Sequence, residues 1–153
     1  MNLSNQKIGW IFVAVQFIFI AIIIWLPQKD HWGFAVLSQL LGFLMFTAGI
    51  AIMITAAIKL GRGLTATPEP SKRGQLITTG LYSIVRHPIY TGLLLVVFGI
   101  TLRSRNILIL LLAIAFSIFL HFKANWEEQR LEAVYSEYSA YKKTTGKLFP
   151  KLG

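Results

Sequence analysis

Four apolar runs divide the chain, and charged residues are confined to what lies between them. The runs are Ile8 to Leu26, Phe34 to Ile58, Ile89 to Leu102 and Ile107 to Phe122. A helix needs about 20 residues, at about 1.5 Å each, to cross a hydrocarbon core roughly 30 Å thick. The first two runs meet that length. The last two are shorter, and only Arg103, Ser104, Arg105 and Asn106 separate them, so they should fold as an antiparallel hairpin. The two arginines are expected to snorkel outward from its tip. The first run is too long for the apolar part of a signal peptide and lacks a small-x-small cleavage site before Pro27, so it reads as a retained span. The pattern predicts an all-α integral membrane protein with four transmembrane helices in one membrane domain. Residues 1–59 hold two spans; residues 60–153 hold a loop, the hairpin and a C-terminal amphipathic helix.

Composition agrees. Of 153 residues, 55% are hydrophobic, more than a soluble domain of this size can bury, so lipid is the expected solvent. The net charge of +9 does not point to nucleic acid, because the basic residues sit in the short segments between apolar runs, where anionic lipid headgroups lie. There is no cysteine, which excludes disulfides, thiolate catalysis and zinc–thiolate sites, and no metal site is read. With both termini cytoplasmic, only Lys29, Arg103 and Arg105 of the 15 Lys and Arg fall outside, the arrangement the positive-inside rule prefers.

The inner stretch 60–87 reads LGRGLTATPEPSKRGQLITTGLYSIVRH. Its first half, rich in Gly, Pro and Ser, suits a linker. Its second half, Gln75 to Tyr82, is apolar and β-branched and should fold back onto the inner helix ends. Arg86, His87, Pro88 and Tyr90 follow. Pro88 suits the first turn of a helix, where its missing N–H costs nothing. The positive end of that helix then faces the cytoplasm and favours a carboxylate or phosphate. A plainer reading makes Arg86 an interfacial anchor and Tyr82 and Tyr90 an aromatic belt.

A second constellation weighs against the plainer reading. Beyond the fourth run lies HFKANWEEQRLEAVYSEYSAYKK, with Trp126, Leu131, Val134 and Tyr138 as apolar positions of a helix. From Pro88 to the hairpin tip is about 24 Å of helix, and from the tip back to Glu127 about 33 Å. Glu127 and Glu128 therefore emerge over the Arg-His-Pro turn. Alone, two adjacent glutamates are an ordinary solvated face. Here one end of one hairpin gathers a helix N-terminus, an Arg, a His, two Tyr and two carboxylates. Carboxylates suit an ammonium or sulfonium, the helix N-terminus with Arg suits a carboxylate, and aromatic walls suit a flat heterocycle. S-adenosylmethionine carries all three. No Gly-rich turn follows a strand, so a Rossmann-type site is excluded.

The pattern Gly80-x-Tyr82-x-x-x-Arg86-His87-Pro88-x-Tyr90-x-Gly92, the hairpin, Glu127-Glu128, Tyr138-x-x-Tyr141-Lys142-Lys143 and the closing Leu148-Phe149-Pro150 resembles the isoprenylcysteine carboxyl methyltransferase family. The related phospholipid N-methyltransferases share this core. The resemblance covers about residues 70 to 152. It implies an integral-membrane, S-adenosylmethionine-dependent methyltransferase. It places cofactor contacts on Gln75, Leu76, Ile77, Tyr82, His87, Pro88, Tyr90 and Glu127. It places catalysis on Arg86, Glu127 and Glu128, and acceptor binding on Arg86 and Lys123. Lys123 stands where the family has an arginine, keeping the charge and losing the bidentate fork.

The implied chemistry is an in-line displacement at a sulfonium methyl, which needs alignment and exclusion of water. A carboxylate acceptor needs no general base, and Arg86 could hold it. An amine or phenol must lose a proton, which His87 or Glu128 could take. The acceptor is expected to be lipophilic and to enter from the bilayer. A prenylcysteine carboxylate is favoured; a phospholipid amine, a small thiol or a phenol stays open. Two other classes were weighed. A proton-coupled exporter needs an ionisable group inside a span, and the first three runs carry none in their cores. A non-catalytic membrane scaffold would bind no S-adenosylmethionine. Gly42 and Gly49 in the second run, and Gly92 and Gly99 in the third, put small residues on one face of each helix, which suits close packing.

Overall fold

A computed structural model describes residues 3–26, 35–61 and 76–151. Five α-helices account for most of it: α1 Leu3–Trp25, α2 Ala35–Leu60, α3 Pro88–Ser104, α4 Ile107–Val134 and α5 Tyr138–Thr144, with a 3₁₀ turn at Gly80–Ser83 ahead of α3. Among the described residues there is no strand, only a backbone bridge between Val85 and Gly146. The all-helical expectation holds.

Three helices are long and apolar enough to cross a membrane, over Gln6–Trp25, Val36–Leu60 and Ile107–Val134. The sequence pattern led to four. The difference is α3, whose 17 residues extend about 25 Å, short of a full hydrocarbon core. Both its ends are fixed. Pro88 takes the first helical position, and Arg105 stops the helix in the left-handed region at φ 47°. Asn106 then caps α4, its side-chain oxygen accepting from the Leu108 N–H at 2.9 Å. The tip is thus tighter than a four-residue linker. Its arginines do not both snorkel outward: Arg105 is buried, while Arg103 is exposed and donates to Gln39 Oε1 at 3.3 Å.

The expected C-terminal amphipathic helix is also built differently. The charged stretch from Lys123 continues α4 without a break, so that helix reaches 28 residues. The chain leaves it at Tyr135, which is extended, and re-enters helix only for the seven residues of α5.

Helices α2 and α3 pack through the glycine faces. A Cβ added at Gly42 would lie 2.6 Å from the Gly99 carbonyl oxygen, and one at Gly49 would lie 2.5 Å from that of Gly92. The reciprocal approaches from Gly92 and Gly99 are equally close, so the two backbones touch without side chains between them. The apolar core sits between α1, α3 and α4, around Ile23, Leu93, Val97, Ile109, Phe116 and Leu120. Along the α1–α4 seam, Phe12 meets Phe119 and Trp126, and Phe19 meets Phe116 and Phe119, with ring centroids 5.4 to 5.8 Å apart. The 3₁₀ turn meets α2: Tyr82 is buried, and its hydroxyl donates to the Ala56 carbonyl near the end of that helix at 3.4 Å.

Candidate active site

The start of α3 is held by the C-terminal segment. The Arg86 N–H donates to the Gly146 carbonyl at 2.8 Å and the His87 N–H to the Lys147 carbonyl at 3.1 Å. The Gly146 N–H returns to the Ile84 carbonyl at 3.3 Å. The Thr91 hydroxyl donates to the Leu148 carbonyl at 2.6 Å, and the Leu148 side chain enters the core. Gly146 has no room for a Cβ, because the Phe149 backbone occupies that space. Residues 145–149 therefore form a strap across the mouth of the α3–α4 hairpin.

Arg86 anchors that strap. Its Nε donates to Glu128 Oε1 at 2.8 Å, and its Nη1 donates to the carbonyls of Lys142, at 3.2 Å, and of Thr145. Both Arg86 and Glu128 are buried, and Lys142 approaches the other Glu128 oxygen at 3.6 Å. Arg86 and Glu128, both expected to act on the acceptor, are paired with each other here. These contacts use Nε and Nη1 and leave the two Nη2 N–H groups outside them, while a carboxylate locked to Arg86 is a poor base. Together they tie the end of α5 and the start of the strap to α4.

His87 and Glu127 are placed differently. The imidazole lies between the two carboxylates, with Nδ1 3.4 Å from Glu127 Oε2 and Nε2 3.3 Å from Glu128 Oε1. Nε2 is buried and has no well-aligned hydrogen-bond acceptor among the described residues. Burial alone would lower the His87 pKa. The contacts with Glu127 and Glu128 outweigh it, and the value is raised above 6.5. The ring stacks on Tyr90, centroids 5.4 Å apart and planes 3° from parallel. The Tyr90 hydroxyl donates to Glu127 Oε1. The two arms of the hairpin thus meet at Glu127, as the count of helix residues implies.

Lys123, one turn before Glu127, is 4% exposed. Its ammonium donates to Gln16 Oε1 on α1 at 2.6 Å and lies 5.0 Å from the centre of the Tyr90 ring. Gln16 had drawn no attention in the sequence. Its signal was available: it is the one polar side chain between Ile8 and Leu26. A second pair also went unread. Lys147 of the strap donates to Asn125 Oδ1 on α4.

The remaining residues are less central. Pro88 is buried at the first position of α3. Leu76 and Ile77 are half-buried ahead of the 3₁₀ turn, and Gln75 lies outside the described residues. Tyr82 meets α2 through its hydroxyl and α5 through its carbonyl, which accepts from the Tyr141 hydroxyl. Burial pushes Tyr82 and Tyr141 up to about 12 and raises Tyr138 as well, so all three phenols are protonated at neutral pH; Tyr82 and Tyr141 donate, while the buried Tyr138 hydroxyl has no hydrogen-bond partner among the described residues. Among the described residues no group of three or more His, Asp and Glu is arranged to hold a metal ion.

The profile of the family described as phospholipid methyltransferase matches residues 37–138. The chain is 26% identical over 98% of its length to the cobalt-zinc-cadmium resistance protein CzcN of Cupriavidus metallidurans, and spans 66% of that protein. It is 28% identical, over the same share, to the nickel-cobalt-cadmium resistance protein NccN of Alcaligenes xylosoxydans xylosoxydans, and spans 67% of it. Among solved structures it is similar to the eukaryotic intramembrane Ras methyltransferase, isoprenylcysteine carboxyl methyltransferase. There the TM-score is 0.70 and the identity 26%, over 98% of this chain and 54% of that one.

Proposed function

Because the chain belongs to the phospholipid methyltransferase family, we propose that it is a membrane methyltransferase that uses S-adenosylmethionine to methylate a lipophilic carboxylate. The observation that carries this reading is the meeting of Glu127, His87 and Tyr90 at one end of a membrane hairpin, with the Lys123 ammonium one turn away.

The donor set suits the cofactor. Glu127 supplies a carboxylate for a cationic group, and the stacked Tyr90 and His87 rings supply a flat wall. When bound, S-adenosylmethionine supplies an electrophilic methyl group on a sulfonium. Glu127 would orient the cationic part of the cofactor, and Tyr90 holds Glu127 in place. Lys123 would attract and orient the carboxylate of the acceptor. The strap, drawn down by Arg86 and Glu128, would exclude water from the same space.

A carboxylate acceptor is favoured over an amine by the state of the candidate bases. An amine or phenol must give up a proton, and the groups near enough are already committed. His87 is biased toward its protonated form between two glutamates, and Glu128 is tied to Arg86. A carboxylate oxygen takes a methyl group with no proton to move.

The positive-inside arrangement of the 15 Lys and Arg supports termini and site on the cytoplasmic side, with cofactor entering from water and acceptor from the bilayer. Calorimetry of the detergent-purified protein should detect S-adenosylmethionine binding. Labelled methyl should then pass into a prenylcysteine panel in preference to phospholipid amines. Absence of cofactor binding by folded protein would favour the scaffold.

A further inference from the structure

The α1–α4 seam is apolar and largely aromatic except where Gln16 meets Lys123. Phe12, Gln16, Phe19 and Ile23 share one face of α1 by helical spacing, as Phe116, Phe119, Lys123 and Trp126 do on α4. The flanking rings pack against one another across the seam, and between them Gln16 meets Lys123. Placing an ammonium there is costly, because apolar surroundings cannot replace its hydration. The usual compensation is a carboxylate. Among the described residues none stands within salt-bridge distance of Lys123.

The ammonium has instead one neutral acceptor and one aromatic face. Of its three donors, Gln16 takes one, and no other hydrogen bond leaves Nζ among the described residues. The Tyr90 ring adds a cation–π contact at 5.0 Å. Glu127, the nearest acid along α4, is already engaged by the Tyr90 hydroxyl and by His87. A glutamate at position 16 would have fitted the same space and neutralised the charge. The amide holds the ammonium and adds no negative charge of its own.

We infer that Gln16 is a positioning residue that sets acceptor specificity: it holds the Lys123 ammonium beside Tyr90 without neutralising it, so the site selects an acceptor with an anionic headgroup. The choice of a carboxylate as that headgroup rests on the proposed methyltransferase reading. The contribution of α1 does not. The competing role for Gln16 is that of an interhelical tether, since amides commonly join helices in membranes.

Gln16→Glu separates the two roles. It preserves the tether, now as an ion pair, and cancels the free charge. The test uses the full chain in detergent and measures equilibrium binding of radiolabelled oleate and of oleylamine, with thermal stability and S-adenosylmethionine affinity alongside. The wild type should bind oleate in preference to oleylamine. In Gln16→Glu, oleate affinity should fall by about ten-fold or more, as expected when a charge-assisted contact is lost, while thermal stability is kept or increased. Gln16→Leu should weaken both oleate binding and stability. With a carboxylate acceptor in turnover, Gln16→Glu should raise KM far more than it lowers kcat.

Undiminished oleate affinity in folded Gln16→Glu would reduce Gln16 to a tether and overturn the inference. So would a wild type with no preference for oleate. A wild type that shows the oleate preference and the Gln16→Glu effect, yet binds no S-adenosylmethionine, would uphold the inference and defeat the methyltransferase reading.

Discussion

At the scale of single residues, Glu127 is where the two arms of the hairpin communicate, through Tyr90 on one oxygen and His87 near the other. Glu127→Gln keeps the size and removes the charge, and Tyr90→Ala removes the wall and the donor that orients Glu127. Each should weaken S-adenosylmethionine binding by about 1–3 kcal/mol, read by calorimetry in detergent. Two folded variants with wild-type affinity would return these residues to an interfacial belt. His87 makes a separate prediction about pH. Its folded-state pKa is raised above 6.5 against desolvation, by contact with Glu127 and Glu128. Protonation therefore favours the folded state. The stabilisation is fully present below the ordinary histidine value and is lost as pH rises through the raised one. Melting temperature measured across that range should fall with increasing pH, and His87→Gln should remove that component of the fall. A wild-type profile identical to that of His87→Gln would show that the imidazole is neutral where it sits.

Among elements, the α2–α3 contact and the strap are the two joints on which the site depends. Gly49 lies so close to the Gly92 carbonyl that any side chain must push two backbones apart. Gly49→Leu should cost about 1–3 kcal/mol or more, the usual penalty of overpacking, and lower the melting temperature accordingly. Ala51→Leu, on the exposed face of the same helix, should have little effect. The strap depends on Arg86. Lysine retains the charge but cannot reach Glu128 and the carbonyls of Lys142 and Thr145 together. Arg86→Lys should speed hydrogen exchange at the His87 and Gly146 amides, which donate across the strap, and leave the amides in the middle of α4 unchanged. Exchange unaltered at both strap amides would mean that the backbone ladder alone holds the segment.

For the molecule as a whole, the constraint is that Arg86 and Glu128, 42 residues apart, form one ion pair. The hairpin must therefore leave and return on the same side of the membrane. Two spans precede it, so reporters at both termini should be accessible from the cytoplasm, and one at Asp30 from the opposite side. Opposite sides for the two termini would contradict the topology. It would not contradict the ion pair, which depends only on the antiparallel course of α3 and α4.

The sequence by itself determined the solvent, the helical class and the convergence of Glu127 and His87. These follow from run length, from the rise of a helix and from a tip too short to do anything but reverse the chain. It also located the glycine faces, because small residues seven apart fall on one side of a helix. Three things were decided only by tertiary structure. Arg86 reads in the sequence as a ligand-binding cation; the partners it has in the fold, Glu128 and the carbonyls of Lys142 and Thr145, lie far along the chain, and no local pattern specifies which acceptor a guanidinium will find. Gln16 is one polar side chain in an apolar run, and acquires meaning only where α1 sets it against Lys123. The four-span count likewise depended on a boundary, Pro88 to Ser104, fixed by a proline at one end and a left-handed cap at the other. Periodicity encodes which face of a helix is apolar. It does not encode which neighbour that face meets, and at a site made of charges the neighbour decides whether a charge is free or engaged.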